Sequence, residues 1–194
     1  MGALTGRVVV VAGGTGSLGE GLCRQFVDEG ADVCVPFRNE SKAERLKSYI
    51  GERCGSGVER LHLYPARIGE EESVQAFRDS VLQQFEHVHL AVACLGNWYY
   101  GYSLHRMPVE HFERVIQNNL MTHFLFMRAF LSHMHDVNDG AYVMVNGGAS
   151  EIVAPDAGAI SIAAAAQRMM TQVLADEANG KKVRVHSVVA FHPV

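Results

Sequence analysis

Arg7-Val8-Val9-Val10-Val11-Ala12-Gly13-Gly14-Thr15-Gly16-Ser17-Leu18-Gly19 is the stretch on which the fold is decided. Four valines in a row read as a short strand buried on both faces. Glycines at 13, 14 and 16 break the run, and Ser17 to Val27 follows as a helix with Leu18, Leu22, Phe26 and Val27 on one side. A strand, a glycine turn and a helix N-terminus make an anion site, because unpaired N–H groups and the positive end of the helix dipole face the ligand. The spacing Gly14-x-Gly16-x-x-Gly19 is the one that brings a dinucleotide pyrophosphate close to the backbone. Gly13, Gly14, Thr15, Gly16, Ser17, Leu18 and Gly19 are therefore candidate cofactor-binding residues.

Working outward, Ala31 to Phe37 reads as a second buried strand, and a charged helix runs from about Lys42 to Arg53. In dinucleotide folds the end of this strand meets the adenosine ribose. An acidic residue there suits a free 2′-hydroxyl, and an arginine suits a 2′-phosphate. Phe37 holds the acidic position and Arg38 follows it, which favours NADP over NAD. The competing reading of Arg38 is a solvated loop residue paired with Glu40.

Val58 to Tyr64 is a third strand, Glu70 to Phe85 a helix and Val88 to Leu95 a fourth strand ending at Gly96. Asn97 to His105 is an aromatic loop at the carboxyl end of that strand, where open α/β sheets hold their ligands. Pro108 opens a long amphipathic helix through His133, Asn138-Asp139-Gly140 makes a turn, and Ala141 to Val145 is the fifth strand. An alanine-rich helix over 158–178 and a strand from Val183 to Val189 complete the pattern. Alternating strands and helices predict one doubly wound α/β domain over 1–194, with a parallel sheet covered by helices on both faces.

Composition sets limits on partners. A net charge of −4 without a lysine–arginine run gives no reason to expect nucleic acid. No apolar run is long enough to cross a bilayer. The cysteines at 23, 34, 54 and 94 follow no metal spacing, and a reducing, cytoplasmic setting is expected. His87 and His89 would share a strand face, but the sequence places no third ligand, so no metal is expected.

The chain resembles the short-chain dehydrogenase/reductase family from Leu4 onward. Ala12-Gly13-Gly14-Thr15-Gly16-Ser17-Leu18-Gly19 is similar to that family's Thr-Gly-x-x-x-Gly-x-Gly, with Ala12 for the threonine and Ser17 for the middle glycine. Phe37-Arg38-Asn39 looks like its NADP-preferring strand end, and Gly96 matches the last residue of its Asn-Asn-Ala-Gly. The aspartate that usually contacts adenine falls at Arg67, and Asn119 matches the family's structural and catalytic asparagine. The resemblance implies an oxidoreductase acting on a small molecule. It also implies a homo-oligomer associating through helices 108–133 and 158–178, and a substrate-covering segment and last strand that this chain does not reach before Val194.

The same resemblance exposes a departure. The family's catalytic serine falls at Gly147, and its Tyr-x-x-x-Lys falls on Ile160-Ser161-Ile162-Ala163-Ala164. No lysine occurs between Lys47 and Lys181, and no tyrosine has a lysine four residues on. Reducing a carbonyl by hydride needs a proton on the developing alkoxide, work worth about 10²–10⁴-fold in rate. Ile160 and Ala164 can neither donate that proton nor hold the nicotinamide ribose. Three readings stand: a divergent reductase drawing on Tyr99, Tyr100, Tyr102, His105 or Ser150; a non-catalytic NADP-binding or sensing protein; and a structural protein that keeps the glycine turn for its fold alone.

Overall fold

The computed structural model describes residues 2–191. Met1 and the chain's end at Val194, where the substrate-covering segment is expected to be lacking, lie outside the described residues. Six parallel strands form one sheet in the order β3-β2-β1-β4-β5-β6: β1 (Val8–Ala12), β2 (Asp32–Phe37), β3 (Leu61–Pro65), β4 (Leu90–Ala93), β5 (Gly140–Gly147) and β6 (Val183–Ala190). The helices are α1 (Ser17–Asp28), α2 (Glu40–Cys54), α3 (Glu71–Phe85), α4 (Val109–Ile116), α5 (Thr122–Val137) and α6 (Gly158–Glu177).

The valine run explains why two cores form. Val8 and Val10 face one side of the sheet, with Phe77 of α3, Phe126 and Phe130 of α5 and Leu174 of α6. Val9 and Val11 face the other, with Cys23 and Val27 of α1 and Leu46 and Ile50 of α2. A strand whose successive side chains all find a hydrophobic layer must be central. Each buried valine contributes about 1.5–3 kcal/mol. β1 is thus the spine of the sheet, paired with β2 on one side and β4 on the other.

Four details differ from the sequence reading. Leu18 is not on the buried side of α1 but 52% exposed, as befits a first-turn residue that projects past the sheet. Residues 55–60 form a 3₁₀ turn rather than the start of β3, because Gly55 takes a left-handed φ of 56° that ends α2. α2 begins at Glu40, two residues before the expected start, where the Asn39 side chain accepts from the Lys42 N–H and caps the helix. The long helix runs beyond His133 to Val137 and is interrupted by a π-turn over Gln117–Met121.

Candidate functional site

The helices after β1 and β4 lie on opposite faces of the sheet, so a crevice opens between the carboxyl ends of these neighbouring strands. Two clefts occupy it, one of about 300 Å³ beside β1 and β2 and one of about 180 Å³ beside β5 and α6. Leu95, Gly96 and Asn97 line both.

In the first cleft the glycines divide into two kinds. Gly13 has φ +83°, and a Cβ there would lie 2.1 Å from the Cys94 carbonyl oxygen, so this position holds the ends of β1 and β4 together. Gly14 would clash with Val35 at 2.7 Å, and Gly19 with the Gly13 carbonyl at 2.1 Å. These two close the turn against β2 and α1 and do not line the cleft. Gly16, whose Cβ would meet only the Gly13 carbonyl at 3.2 Å, lines it with Gly13 and Thr15. Gly16 caps α1 without a side-chain bond, and Glu20 is the first amide to join the helical ladder, 2.8 Å from the Gly16 carbonyl. The amides of Ser17, Leu18 and Gly19 therefore have no acceptor within the helix and remain available to an anion.

The far wall of this cleft carries cations. Arg38 and Lys42 line it, and neither has an ion-pair partner among the described residues. The Arg38–Glu40 pairing is thus not formed. Lys42 escaped the sequence reading because its place in the first turn of α2 depends on the Asn39 cap, whose side chain accepts from the Lys42 N–H. Arg67, at the position where the family's adenine-contacting aspartate was expected, pairs instead with Glu70 at 3.2 Å, while Ala66, Ile68 and Gly69 form the wall.

The second cleft is walled by apolar groups and by carboxamides, of which those of Asn119 and Asn146 are engaged at both ends. Asn119 accepts from the Asn97 N–H at 2.8 Å and donates to the Val115 carbonyl at 3.0 Å. Gly96 has φ +116°, and a Cβ there would lie 2.3 Å from Asn119 Oδ1, so this loop can pass Asn119 only as glycine. Asn146 donates to the Ala164 carbonyl and accepts from the Gly147 N–H, both at 2.8 Å. Gln167 Nε2 donates to the Asn119 carbonyl, which lies within the π-turn. His123, fully buried, donates through Nε2 to the Leu95 carbonyl at 2.9 Å, leaving Nδ1 buried with no partner. Burial pulls the His123 pKa down to about 4, so the ring is neutral. Gln167 and His123 were missed by the sequence reading; both act across the fold and no local pattern marks them.

Gly147 ends β5 with open space where a Cβ would stand. Ile160 is buried with Val115 and Ala159, under Tyr99 and Met107, and Ala164 is buried as well. Among the described residues, those lining this cleft include no Asp, Glu, Lys, Arg, His, Tyr or Cys. Of the aromatic side chains of the loop after β4, Trp98 lines it, while Tyr99, Tyr100 and Tyr102 are not among the lining residues. The Tyr99 hydroxyl pairs with His111 Nδ1 at 3.2 Å, Tyr102 packs on the same imidazole, and Tyr100 is 65% exposed. His105 sits in a separate 3₁₀ turn, and Ser150 donates to the Gly147 carbonyl at 2.9 Å.

Elsewhere, burial pushes the Cys94 thiol up to about 12 and raises Cys23 further, so neither is a reactive thiolate. His87 and His89 meet edge to face, with ring centroids 4.5 Å apart, at the opposite end of the sheet, where His89 Nδ1 accepts from the Val8 N–H. No group of three or more His, Cys, Asp or Glu among the described residues could hold a metal ion. No helix among them is long and apolar enough to cross a membrane.

Comparison with known proteins agrees with this architecture. The model of the short chain dehydrogenase family matches residues 7–190. Glucose 1-dehydrogenase 2 of Bacillus subtilis (strain 168) is 27% identical over 187 residues, covering 95% of this chain and 71% of the relative. A metagenomic short-chain oxidoreductase solved in complex with NADP superposes with a TM-score of 0.87 at 23% identity, over 96% of this chain and 82% of that one. The NADP-bound structure of ElxO gives a TM-score of 0.87 at 21% identity, covering 95% and 73%. With the family model spanning nearly its whole length, and a six-stranded doubly wound sheet to match, this chain belongs to the short-chain dehydrogenase/reductase family.

Proposed function

We propose that this protein binds NADP(H) in the crevice at the carboxyl ends of β1 and β4, and that it does not perform the family's usual proton-coupled hydride transfer. The observation that carries the reading is the pairing of an open amide cradle at Gly13–Gly19 with two cations, Arg38 and Lys42, that have no ion-pair partner among the described residues and line the wall where a 2′-phosphate would lie. The cradle fits a pyrophosphate, because Gly16 lines the cleft without a side chain and the first-turn amides of α1 have no acceptor within the helix. NADP-bound relatives of the same fold favour the same assignment.

In this reading the first-turn amides of α1 bind the pyrophosphate, and Thr15 and Gly16 shape its seat. Arg38 and Lys42 hold the 2′-phosphate by charge-assisted hydrogen bonds. Asn119 positions the Gly96–Asn97 loop rather than touching a reacting atom. When bound, the nicotinamide supplies or accepts a hydride. The groups around its place supply no proton: Gly147, Ile160 and Ala164 stand where the resemblance expects serine, tyrosine and lysine. Tyr99 and Ser150 direct their hydroxyls to His111 and Gly147.

Trp98 is the single tryptophan and lines the second cleft, so its emission reports occupancy. Titration with NADPH should quench it saturably, with NADH binding at least tenfold more weakly. Incubation with small aldehydes and ketones should consume no NADPH. Equal binding of the two nucleotides removes the 2′-phosphate assignment, and saturable carbonyl reduction removes the claim of lost chemistry. Self-association through α4–α5 and α6 belongs to the same proposal, supported by exposed Phe124, Met169 and Val173. A dimeric or larger mass in solution would test it.

A further inference from the structure

At the amino ends of the strands, away from the nucleotide crevice, lies a cavity of about 420 Å³, larger than either cleft described above. The sheet register builds its floor. Val9 pairs with Leu90, Leu90 with Ala141 and Ala141 with Arg184, so the four stand in one row across β1, β4, β5 and β6. Leu4, from the lead-in to β1, joins the three aliphatic members of that row in lining the cavity. An apolar row that ends in a guanidinium is an amphipathic surface fixed by strand pairing.

Three donor side chains line the same cavity: Arg7, His89 and Arg184. His89 Nδ1 accepts from the Val8 N–H at 3.1 Å, so the neutral ring carries its proton on Nε2, which is then a donor. Burial, then the charges of His87 and Arg7, hold the His89 pKa below its ordinary value and keep the ring neutral. One carboxylate, Asp139, also lines the cavity, and His87 Nε2 engages it at 3.3 Å. Neither arginine has an ion-pair partner among the described residues. Two guanidiniums and one carboxylate leave a single positive charge beside the aliphatic floor. The guanidiniums repel each other, and an anion between them turns that repulsion into attraction.

We propose that this cavity is a second binding site, for a small monocarboxylate with an apolar body, apart from the nucleotide crevice. Arg7 and Arg184 hold the carboxylate by charge-assisted hydrogen bonds, with the His89 Nε2–H as a further donor. The hydrocarbon lies on Val9, Leu90 and Ala141. Inorganic phosphate is a poorer match, because its second charge exceeds what the cavity balances and it leaves the apolar floor in water. The volume falls within the range of small-molecule sites. The proposal stands independently of the NADP(H) reading.

Titration of the full chain with hexanoate, followed through backbone amide NMR shifts, tests it, with hexanol and inorganic phosphate as parallel probes. The expected result is saturable binding with a Kd below about 1 mM, and shifts centred on Val9, Leu90 and Ala141 rather than on Gly13–Gly19. Hexanol and phosphate should each bind about tenfold more weakly, and Arg184→Gln or Arg7→Gln should each weaken hexanoate about tenfold. Hexanol or phosphate binding as tightly as hexanoate overturns the proposal. So do shifts centred on the crevice, an affinity indifferent to both substitutions, or an absence of saturable hexanoate binding.

Discussion

Along one crevice, the polar groups of the part between Gly13 and Lys42 face outward, while those of the part between Asn119 and Gln167 face one another. The first region keeps helix amides uncapped and two cations without an ion-pair partner among the described residues, which costs stability in the absence of a ligand and is therefore informative about binding. The second ties the Asn119 and Asn146 carboxamides into the fold and has Ile160 and Ala164 buried at the positions where the resemblance expects tyrosine and lysine. A region that has completed its own hydrogen bonding holds the fold together. One that leaves its donors open is built to meet a ligand. The contrast separates recognition from chemistry within a single site.

The strongest way to break this contrast is at the turn. Gly13→Ala adds a left-handed residue and a methyl group against the Cys94 backbone. The expected loss is more than about 3 kcal/mol of stability, with NADPH binding abolished. Chemical denaturation with a parallel titration measures both, and near-native binding would show that the turn is not the cradle.

His123 stands at the seam between the two regions, bonded to Leu95, which lines both. Its pKa is pulled down to about 4 in the fold from an ordinary value of 6.5, so the unfolded chain binds the extra proton first. Its contribution is fully present above about pH 6.5 and is lost as pH falls toward 4, in total on the order of 3 kcal/mol. His123→Gln should flatten the fall in stability across that window, although His89, His133 and His135, also shifted down, keep a residual slope of the same sign. Denaturation midpoints between pH 4 and 7 decide it; an unchanged slope would mean the ring is not buried as described.

Arg38→Ala sharpens the recognition side. Loss of a charge-assisted contact of about 1.5–3 kcal/mol should weaken NADPH roughly 10–100-fold and NADH less than about threefold. Comparable losses for both would place Arg38 away from the 2′-phosphate. The smallest effect is expected at Gly147→Ala, where φ is −94° and a Cβ meets nothing within 4 Å. Stability and nucleotide affinity should stay within about 0.5 kcal/mol of the parent. A large loss there would show that the second region is more tightly engaged with ligand than its hydrogen bonds indicate.

The sheet was legible because its information is local. Val8–Val11 declares a central strand, and the glycines after it declare where it turns. Arg38 could be read from its distance to the end of β2, and so could Gly96 from the end of β4. The amide clamp could not be read this way. Gln167 lies 48 residues from the carbonyl it satisfies, and Asn146 lies 18 from its partner. The π-turn was hidden for a related reason: a helix that takes up one surplus residue keeps amphipathic flanks, so periodicity passes over the break. Lys42 depended on a cap whose consequence is three-dimensional.

That π-turn separates what the scaffold needs from what the crevice needs. Excising a single residue within 117–121 would let α4 and α5 fuse into one ordinary helix, with Val115 and Phe126 still directed into their own layers. Asn119 lies inside that turn, so its carbonyl would be displaced and the carboxamide of Gln167 would lose its anchor. A one-residue deletion could therefore leave a well-folded protein whose crevice no longer has its shape.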